Sequence, residues 1–306
     1  RFSNPFYYYW NTMSRFIVFA FFLIFFSIIL KRNTKISKLI YELTKKDKDL
    51  IESIKYAKSI QSSVIHSFYE FSEILPYSFI FLKPKYIISG DFFWFYKKNN
   101  LVFFALIDCT GHSVPGALLS IIGNIMLNKV IVENNFDDTE QIMRQLHIEV
   151  TKVLNFNDEK IDEGMEVAFV RLNIEDNQIT VSQTTKSIII ICPDKTTKTF
   201  FTHGYTIGGF MSKRNDVFYI SEEYQLQKNS WIYLFTDGYI DQFDTDDEQM
   251  FGYNRFVSLL LSIHKLDVQT QVEKLDVTLE AWKGRNEQTD DVSVVGINCT
   301  SIKKTN

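Results

Sequence analysis

Fifteen consecutive residues, Phe16 to Leu30, carry no charge and a single hydroxyl. A segment this apolar on every side has no face to offer to water. As a helix it rises about 22 Å, short of the roughly 30 Å hydrocarbon core of a bilayer. Phe6 to Met13 extend it with Tyr7, Tyr8, Tyr9 and Trp10, side chains that settle at a headgroup boundary. Arg15 has the reach to snorkel outward. A signal-peptide core has this length too, but Lys31 and Arg32 stand where a small-residue cleavage site is needed. A buried core helix is seldom Phe-rich all round. A single membrane-spanning helix is therefore expected within 1–32. Lys31, Arg32, Lys35, Lys38, Lys45 and Lys46 follow it, against Arg1 and Arg15 before it, which puts the rest of the chain in the cytoplasm. The chain begins at Arg1 rather than Met and is expected to be part of a longer protein.

From Ile36 to Val64 there is neither Gly nor Pro. Positions 36, 40, 43, 47, 50, 54, 57, 61 and 64 alternate steps of four and three, and seven of the nine are apolar, Asp47 and Gln61 being the exceptions. That is the pattern of a coiled-coil seam. It predicts a signalling helix over 33–66 that pairs two copies into a homodimer. A solvated helix packed on its own domain is the other reading.

Past Leu75-Pro76 the pattern turns to short strands. Tyr86–Ser89 and Phe92–Phe95 flank Gly90-Asp91, and Leu101–Ile107 runs into Asp108. Val167–Ile174, Ile179–Thr184, Ser187–Cys192, Trp231–Phe235 and Val292–Ile297 follow. Helices are expected from Pro115 to about Glu133, over Thr139–Leu154, Tyr253–His264 and Val268–Trp282. Gly116, Ser120 and Gly123 form a small-residue stripe suited to close packing on a sheet. Strands and helices in blocks indicate an α+β fold of stacked layers. The 306 residues suffice for one catalytic domain with accessories, and a net charge of −4 gives no sign of a nucleic-acid binder. Cys109, Cys192 and Cys299 are odd in number and scattered, so neither a disulfide framework nor a zinc cluster is expected, and the compartment is reducing.

Four aspartates fall at predicted strand ends beside turn residues: Asp91, Asp108, Asp237 and Asp290. Strand ends in one sheet converge even when distant in sequence. Carboxylates without a Cys or His cluster are hard oxygen ligands, suited to Mg2+ or Mn2+ rather than Zn2+. Two of them about 4 Å apart repel by roughly 4 kcal/mol at an effective dielectric of 20. A cluster of four is costly unless divalent cations neutralise it.

The stretches KPKYIISGDFFWF, ALIDCTGHSVPGALLS, YLFTDGYIDQF, MFGYNRF and EAWKGRNEQTDDVSVVGI occur in that order. With them the chain, from about Ile60 to Ile297, resembles the SpoIIE-type branch of the PPM family of metal-dependent Ser/Thr protein phosphatases. The resemblance implies a β-sandwich flanked by helices over 67–300, before a short tail at 301–306. It also implies two Mg2+ or Mn2+ ions. By motif, Asp108 is the carboxylate bridging both, the Cys109 carbonyl is a further ligand, and Asp237 and Asp290 hold one ion. Asp91 acts on the other, directly or through water. Asp291 is the less favoured member of its pair. Asp241 is either a supporting residue or a plain surface one. Water between the ions would attack phosphorus. His112 is a candidate general acid for the leaving oxygen, with a loop-structuring role as the alternative. The resemblance implies a phosphorylated regulatory protein, similar to an anti-sigma antagonist, as substrate.

The chain departs from the family twice. Ser113 stands where Gly is common after the motif's His, which strains the turn if that position needs positive φ. Glu163-Gly164-Met165-Glu166 replaces Asp-Gly-Met-Asp. A cysteine-dependent phosphatase is excluded because Pro115 occupies the position of its arginine, and no P-loop or dinucleotide fingerprint appears. The non-enzymatic rivals are a pseudophosphatase that relays signals by binding and a coiled-coil membrane scaffold.

Overall fold

The computed structural model describes residues 5–65, 68–111, 113–154, 163–185, 187–209, 218–246 and 248–298. Its contacts divide the chain into two units, Arg1–Ile54 and Lys55–Asn306.

Helix α1 (Pro5–Val64) runs unbroken through the apolar run and the seam. Its only Pro is at the first position, where a missing N–H costs nothing. In the first unit its apolar side chains are exposed, from Phe16 through Leu30 and on to Ile36, Ile40, Leu43 and Leu50. No part of its most apolar 18-residue stretch is covered by protein. On length and composition this helix is a candidate membrane span. The segment Val114–Glu133 passes the same test, but half of its apolar stretch is buried.

The second unit comprises α2 (Phe68–Ile74), β1 (Ser78–Lys83), β2 (Phe92–Lys98), β3 (Leu101–Cys109), α3 (Val114–Leu127), α4 (Thr139–Leu154), β4 (Met165–Asn173), β5 (Gln178–Gln183), β6 (Ile188–Ile191), β7 (Thr197–Thr199), β8 (Glu222–Gln225), β9 (Trp231–Phe235), α5 (Tyr253–Ile263), α6 (Val268–Lys283) and β10 (Val292–Asn298). The strands form two five-stranded antiparallel sheets, ordered β1-β10-β9-β6-β7 and β2-β3-β4-β5-β8.

Three apolar layers follow from the two-residue alternation of the strands. Phe93, Phe95, Phe104, Leu106, Ile190, Leu234 and Val295 meet between the sheets. Phe92, Trp94, Phe103, Ile107 and Phe169 face outward onto Leu119 of α3 and Leu146 and Val150 of α4. Tyr233, Phe235, Val292 and Val294 face the other way, onto Phe256 of α5 and Leu275 and Leu279 of α6. The result is a β-sandwich with a helical layer on each outer face, so strands buried on both sides read as near-continuous apolar runs. The small-residue stripe of α3 lies on this sheet. A Cβ on Gly123 would come within 2.9 Å of the Phe92 ring.

Two expectations are corrected. Tyr86–Ser89 is not a strand. Its flanking amides, Lys85 N and Gly90 N, are each held at 2.7 Å by the Asp291 carboxylate, so a side chain replaces the ladder there. The strand of this region is β1, hidden from a pattern reading by Pro76 and Pro84 on either side. The helix expected to reach Glu133 is α-helical only to Leu127 and continues as a π-helical turn, Asn128–Glu133.

Candidate active site

The alternation that sends Leu106 between the sheets carries Asp108, two residues on, to the end of the same layer, where the apolar contacts stop. Opposite it in the ladder stands Glu166, and Cys109 pairs with Met165. Like charges directly opposite across strands are destabilising. Asp91 leads into β2, and Asp237 opens a single 3-10 turn, Asp237–Tyr239, just after β9. Asp290 and Asp291 lead into β10, which pairs with β9. Gly238 permits this approach, since a Cβ there would fall 2.0 Å from the Asp291 carbonyl oxygen.

Asp91 is buried. Its Oδ2 accepts hydrogen bonds from Thr236 Oγ1 at 2.8 Å and Ser293 Oγ at 2.6 Å. Its Oδ1 is buried with no hydrogen-bond partner. Burial pushes its pKa up to about 8, against the pull of the two hydroxyls, with Asp291 and Asp290 adding repulsion. Burial also holds Asp108 well above the carboxylate range, and the charges of Asp91, Asp237, Glu166 and Asp290 raise it further. Asp237 reaches solvent at its tip, yet the protein crowding it lifts its pKa to about 6, helped by Glu166, Asp241 and Asp290. Asp241, half-buried, is raised by desolvation and by Asp290.

The neighbouring acids Asp290 and Asp291 differ sharply. Asp291 is buried, and its two oxygens accept from Lys85 N, Ser89 Oγ and Gly90 N at 2.7 to 2.9 Å. Ser89 Oγ in turn accepts from Asp91 N at 3.1 Å. Asp291 thereby shapes the loop that carries Asp91. Asp290 is exposed, and its Oδ1 accepts from Asp291 N at 2.7 Å.

Glu166, by sequence only a departure from the family pattern, is the cross-strand partner of Asp108, with Oε2 held by Thr185 Oγ1 at 2.8 Å. A charged residue in the otherwise apolar run Met165–Val170 was the available signal. Gln61, read as a polar interruption of the seam, is buried within the second unit. Its Nε2 donates to Ser89 O at 2.7 Å and to Ser120 Oγ at 2.8 Å. Cys109 has a buried thiol whose pKa is driven well up by burial and by Asp108, which unsuits it as a nucleophile. Ser113 sits at φ 67°, ψ −131°, a glycine-favouring conformation that costs an L-residue about 1–3 kcal/mol. His112 lies outside the described residues.

Among the described residues no three His, Cys, Asp or Glu side chains stand in ready metal-ligating geometry. The donor set nevertheless suits hard divalent ions. Neighbouring carboxylates help raise the pKa of Asp91, Asp108 and Asp237, a carboxylate oxygen of Asp91 has no partner, and among the described residues no Lys or Arg pairs with Asp91, Asp108, Asp237 or Asp290.

A two-sheet sandwich between helical layers, with acidic residues at one end of the inter-sheet layer, is the arrangement of a PP2C-type phosphatase domain. Residues 98–300, about two-thirds of the chain, match the family described as Stage II sporulation protein E (SpoIIE). The SiaA PP2C domain of Pseudomonas aeruginosa superimposes with a TM-score of 0.74 at 23% identity, covering 82% of this chain and 98% of that one. The PP2C domain of SpoIIE from Bacillus subtilis, solved with a fragment of its regulatory domain, gives a TM-score of 0.56 at 14% identity, covering 72% and 62%. A serine/threonine phosphatase of S. agalactiae gives 0.50 at 14%, covering 72% and 99%. At these identities the structural likenesses speak for the fold. No curated protein sequence matches the chain. The chain belongs to the SpoIIE family, and its second unit has the fold of a PP2C-type phosphatase domain.

Proposed function

We propose that this chain is a metal-dependent protein-serine/threonine phosphatase that hydrolyses a phosphomonoester on a regulatory protein at a binuclear Mg2+ or Mn2+ centre. The observation that carries this is the convergence of Asp91, Asp237, Glu166 and Asp290 on Asp108, with no Lys or Arg among the described residues paired to Asp91, Asp108, Asp237 or Asp290. Asp108, Asp237, Asp290 and the Cys109 carbonyl would hold the ions, with Asp91 behind them. Such ions supply an activated water and neutralise the phosphoryl oxygens. The chain's own part is to fix the donors. Thr236 and Ser293 aim Asp91, and Asp291 sets the backbone on which it rides. The sandwich end leaves Asp237 and Asp290 open to an incoming phosphoprotein.

The test is hydrolysis of phosphoserine and phosphothreonine peptides with and without Mn2+, wild type against Asp108→Asn. The variant is expected to lose at least about a hundredfold in rate. Equal rates from both proteins would reject the enzyme and favour a pseudophosphatase.

The same reading makes the domain the output end of a membrane-tethered dimer facing the cytoplasm. The uncovered apolar run of α1 supports the tether, and the seam pattern supports the dimer. The Gln61 bonds to Ser89 and Ser120 give the helix a route to the Asp91 loop. A monomer at every concentration in sedimentation would refute the dimer. Trapping with Asp108→Asn addresses the substrate, expected to be a phosphorylated regulator similar to an anti-sigma antagonist.

A further inference from the structure

Asp237 follows β9 and Asp290 precedes β10, and the backbone tie that extends the β9–β10 ladder, Thr236 N on Ser293 O at 3.1 Å, reaches the residue before Asp237 but falls three residues short of Asp290, yet a shared cation needs the two acids in register. We propose that Gln242 is the positioning residue of this pair, its buried amide holding the Asp290 loop against the Asp237 turn and so setting divalent-cation affinity. The inference rests on the phosphatase reading above.

Gln242 lies five residues after Asp237 and has no exposed surface. Its Oε1 accepts from Thr289 N at 3.0 Å, next to Asp290. Its Nε2 donates to the carbonyl oxygens of Glu287 and Phe243, both at 3.2 Å. Its own carbonyl accepts from Trp282 Nε1 at 3.0 Å and Phe251 N at 2.9 Å, which anchors it to α6 and to the segment before α5. One planar group therefore links residues 242–243 to residues 287–289. Asn286 Nδ2, on Asp244 O at 2.6 Å, adds a parallel tie.

The carboxylates do not provide this register themselves. The hydrogen bond found on the Asp290 carboxylate comes from its neighbour Asp291, and Asp237 lies at the rim. The position of Asp290 thus follows its backbone. Lys85 Nζ on Thr289 O at 2.8 Å and Gln288 Nε2 on Lys83 O at 2.6 Å tie residues 288–289 toward β1, and Gln242 is what ties residues 287–289 to the segment after Asp237. Only an amide supplies an acceptor and two donors at this reach. Leu fills a similar volume and supplies neither. Groups that orient metal-binding carboxylates typically change affinity by 10–100-fold when removed.

The experiment titrates Mn2+ into the full chain in detergent and follows free Mn2+ by electron paramagnetic resonance, for wild type, Gln242→Leu and Gln242→Asn. Gln242→Leu is expected to bind Mn2+ about tenfold more weakly, with kcat at saturating Mn2+ within about threefold of wild type. Gln242→Asn keeps the amide but withdraws it by one methylene, and is expected to weaken binding by a smaller factor, at least about threefold. Wild-type Mn2+ affinity in either folded variant overturns the proposal, as does a loss of kcat that saturating Mn2+ does not restore. Should Gln242→Leu fail to fold, Gln242→Asn decides by the same criterion. A wild type that binds no Mn2+ overturns the phosphatase reading itself, whereas binding wild type with unaltered variants overturns this inference alone.

Discussion

The inner acids Asp91 and Asp291 and the rim acids Asp237 and Asp290 are the same residue type within one site, and they live under different physics. The inner two are buried, and their hydrogen bonds come from serine and threonine hydroxyls and backbone amides. The rim two reach solvent. Asp290 and Asp291 are adjacent in sequence, so one step along the chain separates a carboxylate that builds the loop from one that faces outward. Burial, rather than residue type, divides the labour.

The largest test of that contrast is pH. Asp91 has its pKa raised to about 8 by burial, so metal-free folded protein binds more protons than unfolded protein from about pH 4 upward. A raised carboxylate contributes stability that is present at low pH and lost as pH rises through the folded pKa. The metal-free chain should therefore lose on the order of 3 kcal/mol between pH 5 and pH 8. Asp91→Asn should reduce that slope, leaving the part that Asp108 and Asp237 carry, and Asp290→Asn should leave most of it. Calorimetric melting across this range checks it. A slope unchanged by Asp91→Asn would break the distinction.

Removing one acid from each group comes next. Asp291→Ala leaves two amides and a hydroxyl without their acceptor and should cost about 3 kcal/mol, seen as a lower urea midpoint. Asp290→Asn should stay within about 0.5 kcal/mol of wild type in the same assay. Its Mn2+-dependent activity at limiting metal should nevertheless fall about 10–100-fold. Equal destabilisation by both variants would erase the difference between rim and interior.

The smallest effect belongs to the turn between Asp108 and α3. Ser113→Gly removes an L-residue from φ 67°, and should add about 1 kcal/mol, raising the melting temperature by about 2–4 °C. A drop in stability would mean that the serine side chain contributes something its backbone strain hides.

Much of this was readable along the chain. Val167, Phe169, Ile232 and Leu234 announce their strands by composition, and Asp91, Asp108, Asp237 and Asp290 by their turn-flanked positions. The loop at Tyr86–Ser89 was misread because its apolar Ile87 and Ile88 look strand-like, while the acceptor for its flanking amides lies some 200 residues away in Asp291. Gln61 and Gln242 carried no local signal of their partners, and Glu166 only that of a charge in an apolar run.

The amino-acid order by itself determined the alternation that builds two sheets, the helical stretches that cover them, the uncharged run of α1 and the motif string of the family. Those are properties of neighbours, set by side-chain period and composition. The tertiary structure decided which acids are buried, which face outward, and which amides hold the loops between them. Burial and hydrogen-bond partnership join residues distant in the chain, such as Asp91 with Ser293 and Gln242 with Thr289. No local pattern encodes such a pairing, because its energy depends on what the fold brings alongside.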